Sequence, residues 1–229
     1  MSRGSYWVAV GLMLLVGCSS KEPKSSTPTN GAVAQQPVGN PVEGKVLYTT
    51  CAACHGEAAQ GNQELNAPTL VNSDSWYLYR QLTNFQKGVR GYLAEDTAGL
   101  QMAAMAKALK DSITMSHVVA YIKTLPETDL PALIQGDVRK GERTYQSICG
   151  ACHGPGAKGN EKMNAPRLNG LDDWYLKQQM KKFKASVRGA HPADKFGLQM
   201  VPMMALLADE QAIDDVIAYI RSTTQPSEK

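Results

Sequence analysis

Residues 51–125 can be laid on residues 149–223 at a constant offset of 98 with no gap, and 33 of the 75 aligned positions are identical. The identities fall in blocks: Cys-x-Ala-Cys-His-Gly, Asn-Ala-Pro, Trp-Tyr-Leu, Val-Arg-Gly, Gly-Leu-Gln-Met and Ala-Tyr-Ile. A period this long, repeated only once, excludes a solenoid and predicts two homologous domains. They are expected at 42–125 and 137–223, joined by a proline-marked connector over 126–136 and followed by a short tail over 224–229. A duplication also sorts residues. What both copies keep serves a shared core or shared chemistry, and what one copy alone carries needs its own explanation.

Each half reads as helical. A first helix is expected over Glu43–Cys54 and Glu142–Cys152. Asp74 and Asp172 are expected to cap a middle helix, and Asp111 and Asp209 a closing helix. In the middle helices Trp76, Tyr79, Leu82 and Phe85 recur every three residues, with Trp174, Leu176, Met180 and Phe183 in the second copy. The closing helices carry Val118, Tyr121, Ile122 and Val216, Tyr219, Ile220. No stretch alternates with period two for long enough to make a strand. The loops between these helices run to 15 residues or more, unusual in a compact domain unless they wrap something. A unit of about 80 residues has little core of its own, so a large apolar cofactor would complete it.

Cys51-Ala-Ala-Cys54-His55 and Cys149-Gly-Ala-Cys152-His153 name that cofactor. C-x-x-C-H is the attachment signature of c-type haem. On a helical turn two cysteines three apart face one side and can form thioethers to two vinyl groups, and the adjacent histidine reaches the iron. A thioredoxin-like pair would need a βαβ context, and a zinc site a further set of ligands at each motif. A disulfide within each motif leaves both histidines unexplained.

The duplicated pattern resembles the cytochrome c4 family, built from two tandem class I cytochrome c domains, and is similar to haem-c domains appended to some terminal-oxidase subunits. The resemblance covers nearly all of residues 42–223. It implies an all-α fold with two covalently bound haem c groups, His/Met ligation and electron transfer rather than enzymatic turnover. Within it, His55 and His153 are the proximal iron ligands. Met102 and Met200, each 47 residues after its histidine, are the distal ones, and Met105 and Met203 are left to packing or as the alternative ligands. Pro68 and Pro166 are expected to offer their carbonyls to the histidine rings. Trp76 and Trp174 would wall the haems, and Arg90 and Arg188 would pair with propionates or lie on the surface. Tyr48 with Tyr121, and Tyr145 with Tyr219, would mark where first and closing helices cross. His117 and His191 are not duplicated and read as surface residues.

The N-terminus departs from that resemblance. Arg3 precedes an apolar stretch from Tyr6 to Val16, and Leu15-Val16-Gly17-Cys18 resembles the lipobox of bacterial lipoproteins. That implies a signal peptide over 1–18, a lipid on Cys18 and a place on the periplasmic side of a bacterial membrane, with Ser19 favouring the outer one. Residues 19–41, rich in Ser, Thr, Pro and Gln, read as a flexible tether with a coil reach of roughly 25–30 Å. A net charge of +3 is too small to indicate nucleic-acid binding. Lys177, Lys181, Lys182 and Lys184 cluster on the second middle helix, a solvated face or a surface that steers an acidic partner. The resemblance implies redox partners: a quinol-cytochrome c oxidoreductase or another cytochrome as donor, and a terminal oxidase or reductase as acceptor. The rival reading is a dihaem peroxidase or haem-based gas sensor with one open axial site.

Overall fold

The computed structural model describes Met1, Gly4 and residues 36–224. The expected signal peptide, Cys18 and the greater part of the tether lie outside the described residues. The first half holds α1 (Pro41–His55), α2 (Ser75–Gln86), α3 (Thr97–Ala106) and α4 (Ser112–Ile122). The second repeats them as α5 (Val138–Thr144), a π-helical turn (Tyr145–Cys149), α6 (Gly150–His153), α7 (Asp173–Lys184), α8 (Gly197–Ala205) and α9 (Glu210–Ser222). Among the described residues there is no β-strand; two isolated bridges, Asn62–Ala67 and Asn160–Ala165, stand in equivalent loops.

The helix starts follow local chemistry. Asn40 caps α1 by accepting from the Val42 N–H, with Pro41 at the first helical position. Asp111 forms a reciprocal capping box with Thr114, and Asp209 accepts from the Ala212 N–H. Asp74 and Asp172 precede their helices as expected, but neither side chain caps. Asp172 accepts the buried Thr69 N–H at 2.8 Å and Asp74 the Arg167 N–H at 3.0 Å, each in the other half. Carboxylates that look like caps in the sequence therefore join the two halves.

In each half the first and last helices cross in close contact. Gly44 lies so near α4 that a Cβ there would stand 1.9 Å from the His117 carbonyl oxygen, and one at Gly141 would stand 1.8 Å from that of Asp215. Beside the crossings Tyr48 meets Tyr121 at 5.3 Å and Tyr145 meets Tyr219 at 5.1 Å between ring centroids. His117 is no surface residue. Its Nδ1 accepts the Asn40 N–H at 2.8 Å and its Nε2 lies 2.9 Å from Glu43, while the matching Asp215 accepts the Asp137 N–H.

Val216, Ile217 and Ile220 of α9 are buried with Tyr145, Leu176 and Phe183, and Val118, Val119 and Ile122 of α4 with Tyr48 and Leu78. Each such aliphatic side chain contributes about 1.5–3 kcal/mol by leaving water. The connector is tied down as well. Asp173 accepts the N–H groups of Leu133 and Ile134, and Asn72 both accepts from and donates to Thr128.

Candidate functional site

Each C-x-x-C-H closes a helix, α1 in the first half and α6 in the second. The histidines are buried, and His55 Nδ1 lies 2.8 Å from the Pro68 carbonyl oxygen, as does His153 Nδ1 from that of Pro166. A carbonyl only accepts, so Nδ1 carries the hydrogen and Nε2 keeps its lone pair free for a metal. Burial pushes both imidazoles toward the neutral form, partly opposed by the carbonyl bonds. Neutral imidazole is the ligating form.

The loop geometry behind this is written in the glycines and in Asn-Ala-Pro. Gly61 (φ 85°) and Gly159 (φ 82°) donate to the carbonyls of His55 and His153. A Cβ at Gly61 would come within 2.6 Å of the Thr69 nitrogen, and one at Gly159 within 2.4 Å of the Arg167 nitrogen. Asn66 and Asn164 take the left-handed conformation that turns the chain into each proline. Before attachment, burial raises the Cys51 thiol and lifts Cys149 to about 11, whereas Cys54 and Cys152 are exposed.

Opposite the histidines stand α3 and α8, two helices the spacing of apolar residues did not reveal. Asp96 and Asp194 accept the N–H groups of Gly99 and Gly197 at their starts. Met102 on α3 and Met200 on α8 are half-buried and line a cavity shared with both Cys-His motifs. Met105 is 45% exposed and outside this lining, whereas Met203, 36% exposed, lines the cavity as Met200 does. Neither Trp76 nor Trp174 is among the residues that line the cavity. Tyr77 and Tyr175, one residue on, take that place because Trp76 turns instead onto Arg80.

The cavity is continuous between the halves, and its floor is a crossed polar network. Arg90 donates to Gln81 of its own half at 2.8 Å and to Tyr175 and Gln179 of the other at 2.8 and 3.0 Å. Arg188 mirrors it, reaching Gln179 at 2.9 Å and then Tyr77 and Gln81 at 2.7 and 3.2 Å. Both guanidiniums are buried, each Nε is left without an acceptor, and no carboxylate among the described residues pairs with either. Two buried cations each with an orphaned donor call for two anions. Haem propionates supply that chemistry, while the apolar walls and free histidine Nε2 suit the macrocycle and its iron, so the residues fit the group. Among the described residues no three His, Cys, Asp or Glu side chains gather into a metal cage.

The lysine cluster of α7 is largely spent inside the molecule. Lys177 pairs with Asp214 at 2.7 Å, Lys181 with Glu210 at 2.6 Å and Lys182 with Asp96 at 2.6 Å, while Lys184 donates to the Leu207 carbonyl. His191 packs edge-on against Tyr92.

Comparison with known proteins agrees with this geometry. The family model described as cytochrome c matches twice, over residues 41–126 and 138–224. Cytochrome c4 of Azotobacter vinelandii is 26% identical over 194 residues, 80% of this chain and 89% of that protein. The cbb3-type cytochrome c oxidase subunit FixP of Bradyrhizobium diazoefficiens is 30% identical over 159 residues, 65% of this chain and 53% of that protein. The chain thus spans about half the length, or less, of the oxidase subunits it matches. The crystal structure of reduced cytochrome c4 from Pseudomonas stutzeri superposes with a TM-score of 0.61 at 24% identity, covering 80% of this chain and 98% of that one. Two C-x-x-C-H sites in two matched units give two covalently bound haem c groups. Built twice from one unit around one ligand pattern, this chain belongs to the cytochrome c family.

Proposed function

We propose that the protein is a membrane-tethered dihaem electron carrier working between respiratory-chain components, toward a terminal oxidase or reductase. The observation that carries this is the equivalence of the two halves. Each presents a buried neutral histidine held by a proline carbonyl, and each turns a methionine into the same cavity. His55 and Met102 would hold one iron, and His153 and Met200 the other. When bound, haem would supply one-electron exchange at iron, at a potential raised by the thioether ligands.

The chain's own residues bind and orient. Cys51, Cys54, Cys149 and Cys152 hold the two groups covalently. Pro68 and Pro166 fix the histidine tautomer, and Arg90 and Arg188 balance propionate charge at the junction. The mainly apolar cavity walls would bury the macrocycle. The anchor is Cys18, lipidated at Leu15-Val16-Gly17-Cys18 on the periplasmic side, with the outer membrane favoured. No described helix is long and apolar enough to cross a membrane. Relatives named as subunits of cbb3-type oxidases support an oxidase on the acceptor side.

Carbon monoxide separates this reading from a peroxidase or gas sensor. Reduced holoprotein is expected to leave both haems unliganded by the gas and to turn over peroxide negligibly. Stoichiometric binding at one haem would replace the carrier with an enzyme or sensor. Mass spectrometry of the membrane fraction should find diacylglycerol on Cys18, and an intact unmodified N-terminus would remove the anchor.

A further inference from the structure

The duplication exposes two cations that it does not repeat. Lys182 on α7 stands where the first half has Asn84, and Arg80 on α2 where the second half has Gln178. A residue needed to fold one unit would be expected in both copies, and each of these reaches into the other half. Lys182 Nζ lies 2.6 Å from Asp96, the carboxylate that caps α3, with 18% and 4% of the two side chains exposed. The guanidinium of Arg80 is held between the Trp76 ring at 4.6 Å and the Phe196 ring at 4.5 Å. It also donates to the Asn164 carbonyl oxygen and side-chain oxygen at 3.3 and 2.5 Å. Phe196 opens α8, and the position equivalent to it is Ala98. Gln178, in Arg80's place, makes only neutral bonds, donating to Asn66 at 3.3 Å and accepting from Gln179 at 3.2 Å. Both cations line the shared cavity.

The two arrive at matching places. Each stands at the N-terminal end of the methionine-bearing helix of the opposite half, Lys182 at α3 and Arg80 at α8. The other charges facing this region are Arg90 and Arg188, present in both halves, the helix-start carboxylates Asp96 and Asp194, also present in both, and Glu161 near Arg80, which has Gln63 as its equivalent. Asp194 meets its cation at longer range than Asp96 does, since it forms no direct ion pair among the described residues while its charge is felt by Arg80. Burial lowers the Arg80 pKa, opposed by Tyr77, Asp194 and Glu161. Charges this far from bulk water are weakly screened.

We propose that Lys182 and Arg80 are reciprocal tuning residues, each raising the reduction potential of the haem bound by the other half. The inference rests on the dihaem reading above. The half-reaction tuned is the one-electron reduction of ferric to ferrous iron by a one-electron redox protein, with no bond made or broken. A nearby cation disfavours the state with the greater positive charge, so it favours the ferrous one. Tuning across the domain boundary also ties each potential to the docked arrangement of the halves.

The test is an anaerobic optical redox titration of the holoprotein. Met200→His lowers the second haem out of the window and isolates the first; Met102→His isolates the second. In the Met200→His background, Lys182→Gln is expected to shift the ferrous-to-ferric ratio of the first haem about tenfold toward ferric at fixed potential, about 59 mV. In the Met102→His background it should leave the second haem unmoved. Arg80→Gln should do the reverse. Lys182→Arg should keep the wild-type potential, and Asp96→Asn with Lys182→Gln, which removes both charges, should restore it. A purely structural clamp would not give that restoration. The proposal is overturned if Lys182→Gln moves the second haem's potential, or if neither single variant moves a potential while two haems remain bound. Lys181→Gln is the surface control and should move neither. Carbon monoxide binding by the wild type would instead contradict the carrier reading.

Discussion

At Met102 and Met105, and again at Met200 and Met203, two thioethers stand three residues apart on one short helix, and in the first half only one of the two lines the cavity. Met102 and Met200 face the cavity half-buried, whereas Met105 is 45% exposed. Met102→Ala should remove about half of the near-infrared charge-transfer intensity of the oxidised protein and open one haem to carbon monoxide. Met200→Ala should remove the other half, and Met105→Ala should change neither reading. Tyr48 and Tyr145 carry a second residue-scale prediction. Burial raises both phenols far above the usual tyrosine range, with neighbouring Tyr121 or Tyr219 adding to it, and each donates to a glycine carbonyl. Above about pH 10 the unfolded chain loses these protons and the native one keeps them, so native stability falls as pH rises. In an ultraviolet titration two of the nine tyrosines should ionise only as the protein unfolds. Two tyrosines titrating early with the fold intact would contradict the burial argument. The motif cysteines and histidines were legible in the sequence because their spacing is itself the chemistry, and the proline carbonyls through the family resemblance. The roles of Trp76, His117 and Asp172 were not, since each depends on a partner 50 or more positions away or on which way a ring turns.

At the scale of elements, the closing helices were readable because capping aspartates precede strong apolar spacing. α3 and α8 were not, because Ala, Gly and Met give little contrast between faces and their starts are set by Asp96 and Asp194 folding back on glycine N–H groups. The glycines decide what these elements can do. Gly44→Ala should force α1 off α4 and destabilise the first half by about 1–3 kcal/mol. Gly61→Ala puts a side chain at φ 85° against the Thr69 nitrogen and should cost about as much again. It should also lengthen the His55 bond to Pro68. Thermal denaturation of the holoprotein reads the first effect, and the hyperfine-shifted proton spectrum of the first haem reads the second. Gly88→Ala is the comparison: its φ is also positive, but open space surrounds it, so backbone strain alone remains.

For the whole molecule, the offset of 98 announced two halves but not how they meet. The junction is made by residues that each half keeps for joining: Asp74 and Asp172 crossing to Arg167 and Thr69, and Arg90 and Arg188 crossing to Tyr175 and Tyr77. Nothing in a linear pattern distinguishes a cap from a cross-bond. Asp172→Ala would leave the buried Thr69 N–H without its acceptor, at a cost of about 1–3 kcal/mol. Limited proteolysis within 126–136 should accelerate in that variant while both haems stay bound. The wider account stands on two equivalent, closed iron sites, and near-infrared absorption of the oxidised holoprotein, normalised to haem content by pyridine haemochrome, tests it most directly. The account predicts two covalent haems per chain and charge-transfer intensity for two methionine-ligated irons. One haem per chain, or intensity for one iron only, would contradict it.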